Sequence, residues 1–364
     1  MINLRIVVAL ALTAVVAATA GCARKSRGDR VAADPRADAS NDPEITIKTR
    51  WLGEGLDGAA WPLKTNRRIA CLNAKGECIY PVSLSVNDDG TVFISDNNAH
   101  AVRVYRPEAP GIATLPIEGG QLVWPNTIQA TRSALFVADD DGIKIFRLDG
   151  TFQRKLRVFY GINHFAVGEE GSIYLNPGFA VEKVSNPLVV RLSATGQREQ
   201  EFGRRLNHPN VADLDDMAYL CPGPAAVAAV FKHRPVAQLY SPRGQLLTEI
   251  RINHPAFDSL NTLAADEKFV RPRPGTFRLP YFVAGARLIA DRLVVLLHLP
   301  RPEIVVYNLK GEEIGRYRGS GTSLFTYYRG FDVQLTRDGY SFWILAGDDD
   351  QIALWEFTAA KDLG

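Results

Sequence analysis

The sequence predicts an all-β protein: a six-bladed β-propeller of four-stranded antiparallel blades, closed by an N-terminal strand that completes the last blade. Three observations predict it. Short apolar runs rich in Val, Ile, Phe and Tyr recur in groups of up to four. The runs that begin at Val92, Leu135 and Ile173 start 43 and then 38 residues apart. The last group stops one run short, and an unassigned alternating run stands near the start of the domain. A period of about 40 residues with several strands per repeat is how propeller blades read, whereas helical repeats of that length need apolar residues spaced at 3.6.

Each group is justified by its own runs. The first spans VSLSVNDDGTVFISDNNAHAVRVYRPEAPG from Val82, and the second NTIQATRSALFVADDDGIKIFRLDGTF from Asn126. The third pairs NHFAVGEEGSIYLNPG from Asn163 with PLVVRLSATGQ from Pro187. In these, apolar runs end at Gly, Pro, Asn or Asp, the punctuation of strands and turns. The pattern weakens but persists from Asp216 (DMAYLC, AVAAVF, VAQLY, QLLTEIRI), from Phe282 (FVAGARLIA, RLVVLLHL, EIVVYNL, EIGRYRG) and from Arg329 (RGFDVQLT, YSFWILAG, QIALWEF). Residues 44–52 set Ile45, Ile47, Thr49 and Trp51 on one face at period two, and supply the missing outer strand. An extra hairpin in 66–81 leaves a seventh blade open.

Upstream of the repeats, Arg5, the apolar residues 6–18 and the small residues after them have the layout of a secretory signal peptide over residues 1–21. That apolar stretch is shorter than the roughly 20 residues a membrane span needs. Thr19-Ala20-Gly21-Cys22 resembles a bacterial lipobox, with Thr19 where that motif usually has Leu. The resemblance implies acylation of Cys22 (diacylglycerol and palmitate-type chains) and a cell-envelope protein anchored by lipid alone. Cleavage after Ala20, which would release the protein, is the rival reading. No Asp follows Cys22, which by resemblance to Gram-negative sorting rules points to the outer membrane. Residues 22–43 mix both charges with Ala, Ser, Asp and Pro and read as a flexible tether with a reach of roughly 25 Å.

The domain at 44–364 carries as many acidic as basic side chains, so the basic footprint of a nucleic-acid binder is missing. Cys71 and Cys78 flank a Lys-Gly turn signal, and a hairpin there suits a disulfide in an oxidising compartment. Cys221 reads as a buried, unpaired core residue.

DGTVFISDNNAHAVRVY and SALFVADDDGIKIFRLDG are similar to the NHL-type blade of the six-bladed, TolB-like propeller class. The resemblance implies a ligand at the mouth of the central channel, lined by the loops that enter the innermost strands. Asn126, Asn163, His164, Asp216 and Arg329 fall there. In related lactonases Asn, Asp and Glu hold a Ca²⁺-like ion, and Asn126, Asn163 and Asp216 have suitable oxygens. The alternative is that they cap strands and bond loop amides. A zinc site is disfavoured, because only His164 and His208 of six His reach channel positions; His298 is expected inside a strand and His100 in a turn. Asp139-Asp140-Asp141 and Asp348-Asp349-Asp350 occupy equivalent turns and read as turn chemistry.

The sequence has neither a Gly-rich phosphate loop nor a G-x-S-x-G elbow. Residues 253–280 interrupt the repeat as a long loop, suited to covering the channel or meeting a partner. Two functions follow. The first is an envelope-tethered binding or scaffold module for a protein, peptide or glycan, with no cofactor. The second is a metal-assisted hydrolase or lyase at the channel mouth.

Overall fold

The computed structural model describes residues 60–70, 80–109, 111–158, 161–178, 187–206, 216–271, 278–319, 325–347 and 351–360. Within them the chain is an all-β propeller of antiparallel four-stranded blades. The first strand, β1 (Trp61–Ala70), stands apart in sequence from the blades that follow. The first blade is β2 (Pro81–Val86), β3 (Val92–Asp96), β4 (Ala101–Tyr105) and β5 (Ile112–Thr114); the next is β6 (Ile128–Ala130), β7 (Leu135–Asp139), β8 (Gly142–Phe146) and β9 (Phe152–Leu156). Two more follow: β10 (Ile162–Val167), β11 (Ile173–Pro177), β12 (Val189–Leu192) and β13 (Arg198–Phe202), then β14 (Ala218–Pro222), β15 (Val227–Phe231), β16 (Val236–Tyr240) and β17 (Leu246–Arg251). The remaining strands are β18 (Val283–Ile289), β19 (Arg292–Leu297), β20 (Glu303–Asn308), β21 (Glu313–Gly319), β22 (Tyr327–Leu335), β23 (Gly339–Gly347) and β24 (Ile352–Ala360).

The sheets do not divide into six separate blades. Four are separate, and the fifth holds eight strands in the order β18-β19-β20-β21-β1-β24-β23-β22. The cause is β1. Its residues Lys64 to Ala70 run antiparallel to β24, while Trp61 to Leu63 run parallel to β21. An N-terminal strand does stand outside β24, as expected, but it is Trp61–Ala70. The alternating run at 44–52 lies outside the described residues, and so does most of the extra hairpin, whose residues 66–70 belong to β1.

Burial follows strand position. Second strands such as β3, β7, β15 and β23 are buried throughout, while the outer strands β9 and β17 are mostly exposed. The core sits in the seams between neighbouring blades. Phe136, Ile145, Phe165 and Ile173 share one cluster; Leu84, Ile94, Tyr105, Trp343 and Leu354 share another across the seam between the last blade and the first. Each fully buried Phe or Leu there contributes about 1.5–3 kcal/mol.

Polar side chains tie the innermost strands together, one seam after another. Ser85 Oγ accepts the Ala130 N–H at 3.0 Å, and Gln129 accepts from Val167 N–H at 2.6 Å while donating to Val167 O at 3.1 Å. His164 Nδ1 accepts the Leu220 N–H at 3.1 Å, and the Tyr219 hydroxyl donates to Ala284 O at 2.7 Å. Arg287 pairs with Asp332 at 3.3 Å, and Asp332 accepts from Val86 N–H at 2.9 Å and Ser85 Oγ–H at 3.1 Å. The links run from β2 through β6, β10, β14, β18 and β22 and back to β2. Close approach at two seams needs glycine: a Cβ on Gly285 would lie 2.3 Å from Phe331 Cβ, and one on Gly330 would lie 2.8 Å from the Leu84 nitrogen.

Residues 253–280 fall in a compact unit distinct from residues 59–252 and 281–364. They were expected as a loop but hold two helices, α1 (Ala256–Ala265) and α2 (Glu267–Val270). Ala256, Phe257, Leu260 and Leu263 recur at helical spacing, and the Asp266 carboxylate caps α2 by accepting the Lys268 N–H at 2.9 Å. A helical period inside a 28-residue interruption is hard to see beside strands, because two short helices carry few turns.

Candidate functional site

Strands of a blade alternate in direction, so the start of each first strand and the end of each second strand lie on one face. That face carries the loops where the family resemblance expects the channel mouth. Four first strands open with a register shift: at Pro81/Ser83, Ile162/His164, Val283/Gly285 and Tyr328/Gly330. Such bulges re-aim side chains. Asn163 and Arg329 are the extra residues at two of them.

The blades that begin with β10 and β14 contribute His164, Tyr219 and Lys232. The rings of His164 and Tyr219 meet edge to face with centroids 5.4 Å apart, and the Lys232 ammonium stands 4.6 Å over the Tyr219 ring. Lys232 directly follows β15, and its backbone carbonyl accepts the Phe282 N–H at 2.8 Å, which sets it at the seam. Among the described residues no carboxylate pairs with it. Burial lowers its amine to about 8. Burial, with the positive charges of Lys232 and Arg287 behind it, holds the His164 imidazole well below its ordinary value. His164 is therefore neutral, and since Nδ1 accepts from Leu220, its proton sits on Nε2. Burial raises the Tyr219 phenol.

Further round the mouth, Tyr281 connects two groups. Its ring lies 4.4 Å from His233 and 5.4 Å from His298, which in turn meets Tyr328 at 5.4 Å. Burial raises the Tyr281 phenol against the lowering charge of Arg329. The Arg329 guanidinium lies over Tyr80 at 4.7 Å and over Tyr327 at 5.0 Å. Its Nε is buried without a hydrogen-bond partner, and so is the Tyr80 hydroxyl. At the edge of the same face, Trp124 is 48 % exposed and meets His100 edge to face.

The other expected residues have local partners. Asn126 donates its N–H to Ala138 O and accepts from the Asn97 amide at 3.3 Å. Asn163 donates to Pro177 O at 3.3 Å. Asp216 is buried, accepts the Leu206 N–H at 2.8 Å and faces Arg205 at 3.4 Å. The three lie in different blades, and among the described residues no three or more His, Cys, Asp or Glu side chains are grouped to hold a metal. Asp139 is buried rather than a surface turn residue: it accepts from Val123 and Trp124 N–H and pairs with Lys144 at 2.6 Å. His298 lies just past β19, not within it. Cys22, Cys71, Cys78, His208 and Asp348 to Asp350 lie outside the described residues. Cys221 is a buried free cysteine, as expected.

Lys232, Tyr80, Tyr219 and Tyr281 were not expected. A signal for the first existed: β3 and β7 end on Asp96 and Asp139, whereas β15 and β19 are followed by the basic Lys232 and by His298.

The NHL repeat family model matches residues 79–105, from just before β2 through β4. Among solved structures, a gluconolactonase from Xanthomonas campestris is similar at 14% identity, over 83% of this chain and 97% of that one, with a TM-score of 0.50. A catalytically inactive virginiamycin B lyase from Staphylococcus aureus, with quinupristin, is similar at 13% identity, over 80% and 98%, with a TM-score of 0.48. No curated protein matches the sequence. With its NHL repeat at the first blade and its ring of antiparallel four-stranded sheets, the chain is an NHL-like β-propeller.

Proposed function

We propose that this chain is a binding module: a propeller on a lipid tether in the cell envelope whose channel mouth takes a protein, peptide or glycan. The observation that carries the reading is the composition of that mouth. Tyr80, Tyr219, Tyr281 and Tyr328 present aromatic surface beside polar donors, on first strands that are stapled to one another and hence rigid. Aromatic rings with polar tips supply contact area at low entropic cost. The eight-stranded sheet is read as two blades, β18 to β21 and β22 to β24 with β1, which gives a count of six. The tether is acylated at Cys22, Cys71 and Cys78 form a disulfide, and the protein meets the membrane through its lipid only. No helix among the described residues is long and apolar enough to cross a membrane. Nucleic acid is not a partner.

The test is to purify the full lipoprotein in detergent without chelator. Its metal content is measured, peptides and oligosaccharides are screened by thermal shift, and lactones and esters are assayed for turnover. Ligand binding that survives chelation, without turnover, supports the reading. A stoichiometric metal with metal-dependent turnover overturns it in favour of a hydrolase or lyase.

A further inference from the structure

Four side chains on this face, His164, Lys232, Arg329 and Tyr80, bring donors that no acceptor among the described residues takes up. His164 offers Nε2–H, since Nδ1 is already occupied by the Leu220 N–H. Lys232 offers an ammonium whose one described contact is the face of Tyr219. Arg329 offers a guanidinium that lies over the rings of Tyr80 and Tyr327, with its buried Nε unpartnered, and Tyr80 adds a buried, unpartnered hydroxyl. The nearby acceptors are used elsewhere. The Asp332 carboxylate takes Val86 N–H, Ser85 Oγ–H, its neighbour's N–H and Arg287; Tyr219 gives its hydroxyl proton to Ala284 O.

Residues 44–364 carry as many acidic as basic side chains, yet among the described residues no carboxylate pairs with either Lys232 or Arg329. Leaving a buried donor such as Arg329 Nε or the Tyr80 hydroxyl unmade costs about 1–3 kcal/mol, and more where it is charged. A fold carries that cost where something else completes the bonds. A neutral sugar or amide presents as many donors as acceptors and would leave the donors here in excess. An oxyanion presents acceptors only, and guanidinium and ammonium groups bind it with charge-assisted bonds in a desolvated setting.

We propose that the channel mouth binds an oxyanion, the carboxylate or phosphate group of its ligand, with Lys232 and Arg329 as the charged donors and His164 as a neutral one. The assignment rests on the binding reading above and narrows it to the chemistry of the recognised group. Aromatic neighbours extend the preference: Tyr219 stands under Lys232 and Tyr281 feels the charge of Arg329, so a ligand with apolar or ring surface beside its anion fits best. The low amine value of Lys232 agrees with an ammonium that partial burial disfavours and that a counter-charge would stabilise.

The test uses the full chain in detergent micelles at low chloride, titrated by calorimetry with three probes: inorganic phosphate, N-acetylphenylalanine as its carboxylate, and N-acetylphenylalanine amide. The expected result is saturable binding of at least one anion and binding of the amide weaker by at least tenfold. Saturation by phosphate alone identifies a phosphoryl source, and by the carboxylate alone a carboxylate source. Lys232→Met and Arg329→Met are each expected to weaken the anion at least tenfold, while the exposed Arg154→Met leaves it unchanged. Melting curves of each variant establish that it is folded, and the conservative Arg329→Lys keeps the charge if Arg329→Met fails to fold. Amide binding as tight as the carboxylate, or anion binding indifferent to both substitutions, overturns the oxyanion assignment and leaves the binding module standing. Absence of saturable binding by either anion also overturns it. Metal-dependent turnover, by contrast, overturns the broader reading.

Discussion

Asp332 reaches from the innermost strand of the last blade to accept the N–H of Val86, in the innermost strand of the first, at 2.9 Å. The same carboxylate accepts from Ser85 and faces Arg287. One buried side chain thus joins three first strands at the place where the ring must close. Asp332→Ala leaves the Val86 N–H unsatisfied and Arg287 without its counter-ion. We expect a loss of about 2–4 kcal/mol in unfolding free energy, read by denaturant titration, and increased hydrogen exchange across β2 and β22. Unchanged exchange there would show that apolar packing alone closes the ring.

The seam between β18 and β22 is tight for a steric reason. The hydrogen of Gly285 stands where any Cβ would press 2.3 Å from Phe331 Cβ. Gly285→Ala must displace backbone on one side or the other. We expect a destabilisation of about 1–3 kcal/mol, and partial suppression in a double-mutant cycle by Phe331→Gly, the change that removes the opposing Cβ. Additive effects of the two changes would refute the contact.

Asp139 links pH to one loop. Burial alone would raise its carboxyl; the bond from Lys144 and those from the Trp124, Val123 and Asp140 N–H groups outweigh burial and hold it below the ordinary value of 3.8. A carboxylate depressed in the fold contributes stability above its unfolded value and loses it as pH falls through the folded one. Below about pH 4, the protection of the Val123 and Trp124 amides, taken relative to their intrinsic exchange at each pH, should therefore fall. Asp139→Ala should reproduce that effect at neutral pH, where the wild-type loop stays protected.

Why part of this was legible in sequence is a matter of period. Strands such as Val92–Asp96 and Leu135–Asp139 are short, apolar and bounded by turn residues, so their recurrence exposes the blades. Arg329 and His164 were legible for the same reason, since they precede a recognisable run. Lys232 was legible only as a basic residue at a place where β3 and β7 carry Asp, a contrast that gains meaning once Tyr219 is seen beneath it and, among the described residues, no acid paired with it. The eight-stranded sheet built through β1 was hidden too. Trp61–Ala70 does not alternate cleanly, and parallel pairing with β21 is a property of two distant segments rather than of either. For Asn126, Asn163 and Asp216 the sequence offered two readings, metal ligand or loop-bonding residue, and donor chemistry alone does not show the local bonds each makes.

Thiol chemistry tests both the core and the proposed disulfide. Burial pushes the Cys221 thiol up to about 12, against the lowering charge of Arg287. The thiolate is the reactive form, so native protein should resist a thiol-reactive dye at pH 8. In denaturant, the delipidated region should react at one cysteine if Cys71 and Cys78 are bridged and at three if they are not.

Lys232 separates a structural role from a binding role. Its amine, near 8 in the fold against 10.5 for an unstrained lysine, is lowered by burial alone. The unfolded chain holds its proton more tightly, so stability attributable to this group rises with pH between about 8 and 10.5, and below that window the buried ammonium is a standing cost. Lys232→Met removes the cost and keeps the stem's apolar packing against Tyr219. The variant should melt higher than wild type at pH 7, by an amount on the order of 1–3 kcal/mol, and the gain should vanish above pH 10. Anion affinity runs the other way: in wild type it should fall as pH rises through 8 and the ammonium is lost, while in Lys232→Met it should be weak at pH 7 and flat across that range. A variant both less stable and unchanged in affinity would make Lys232 an ordinary packing residue.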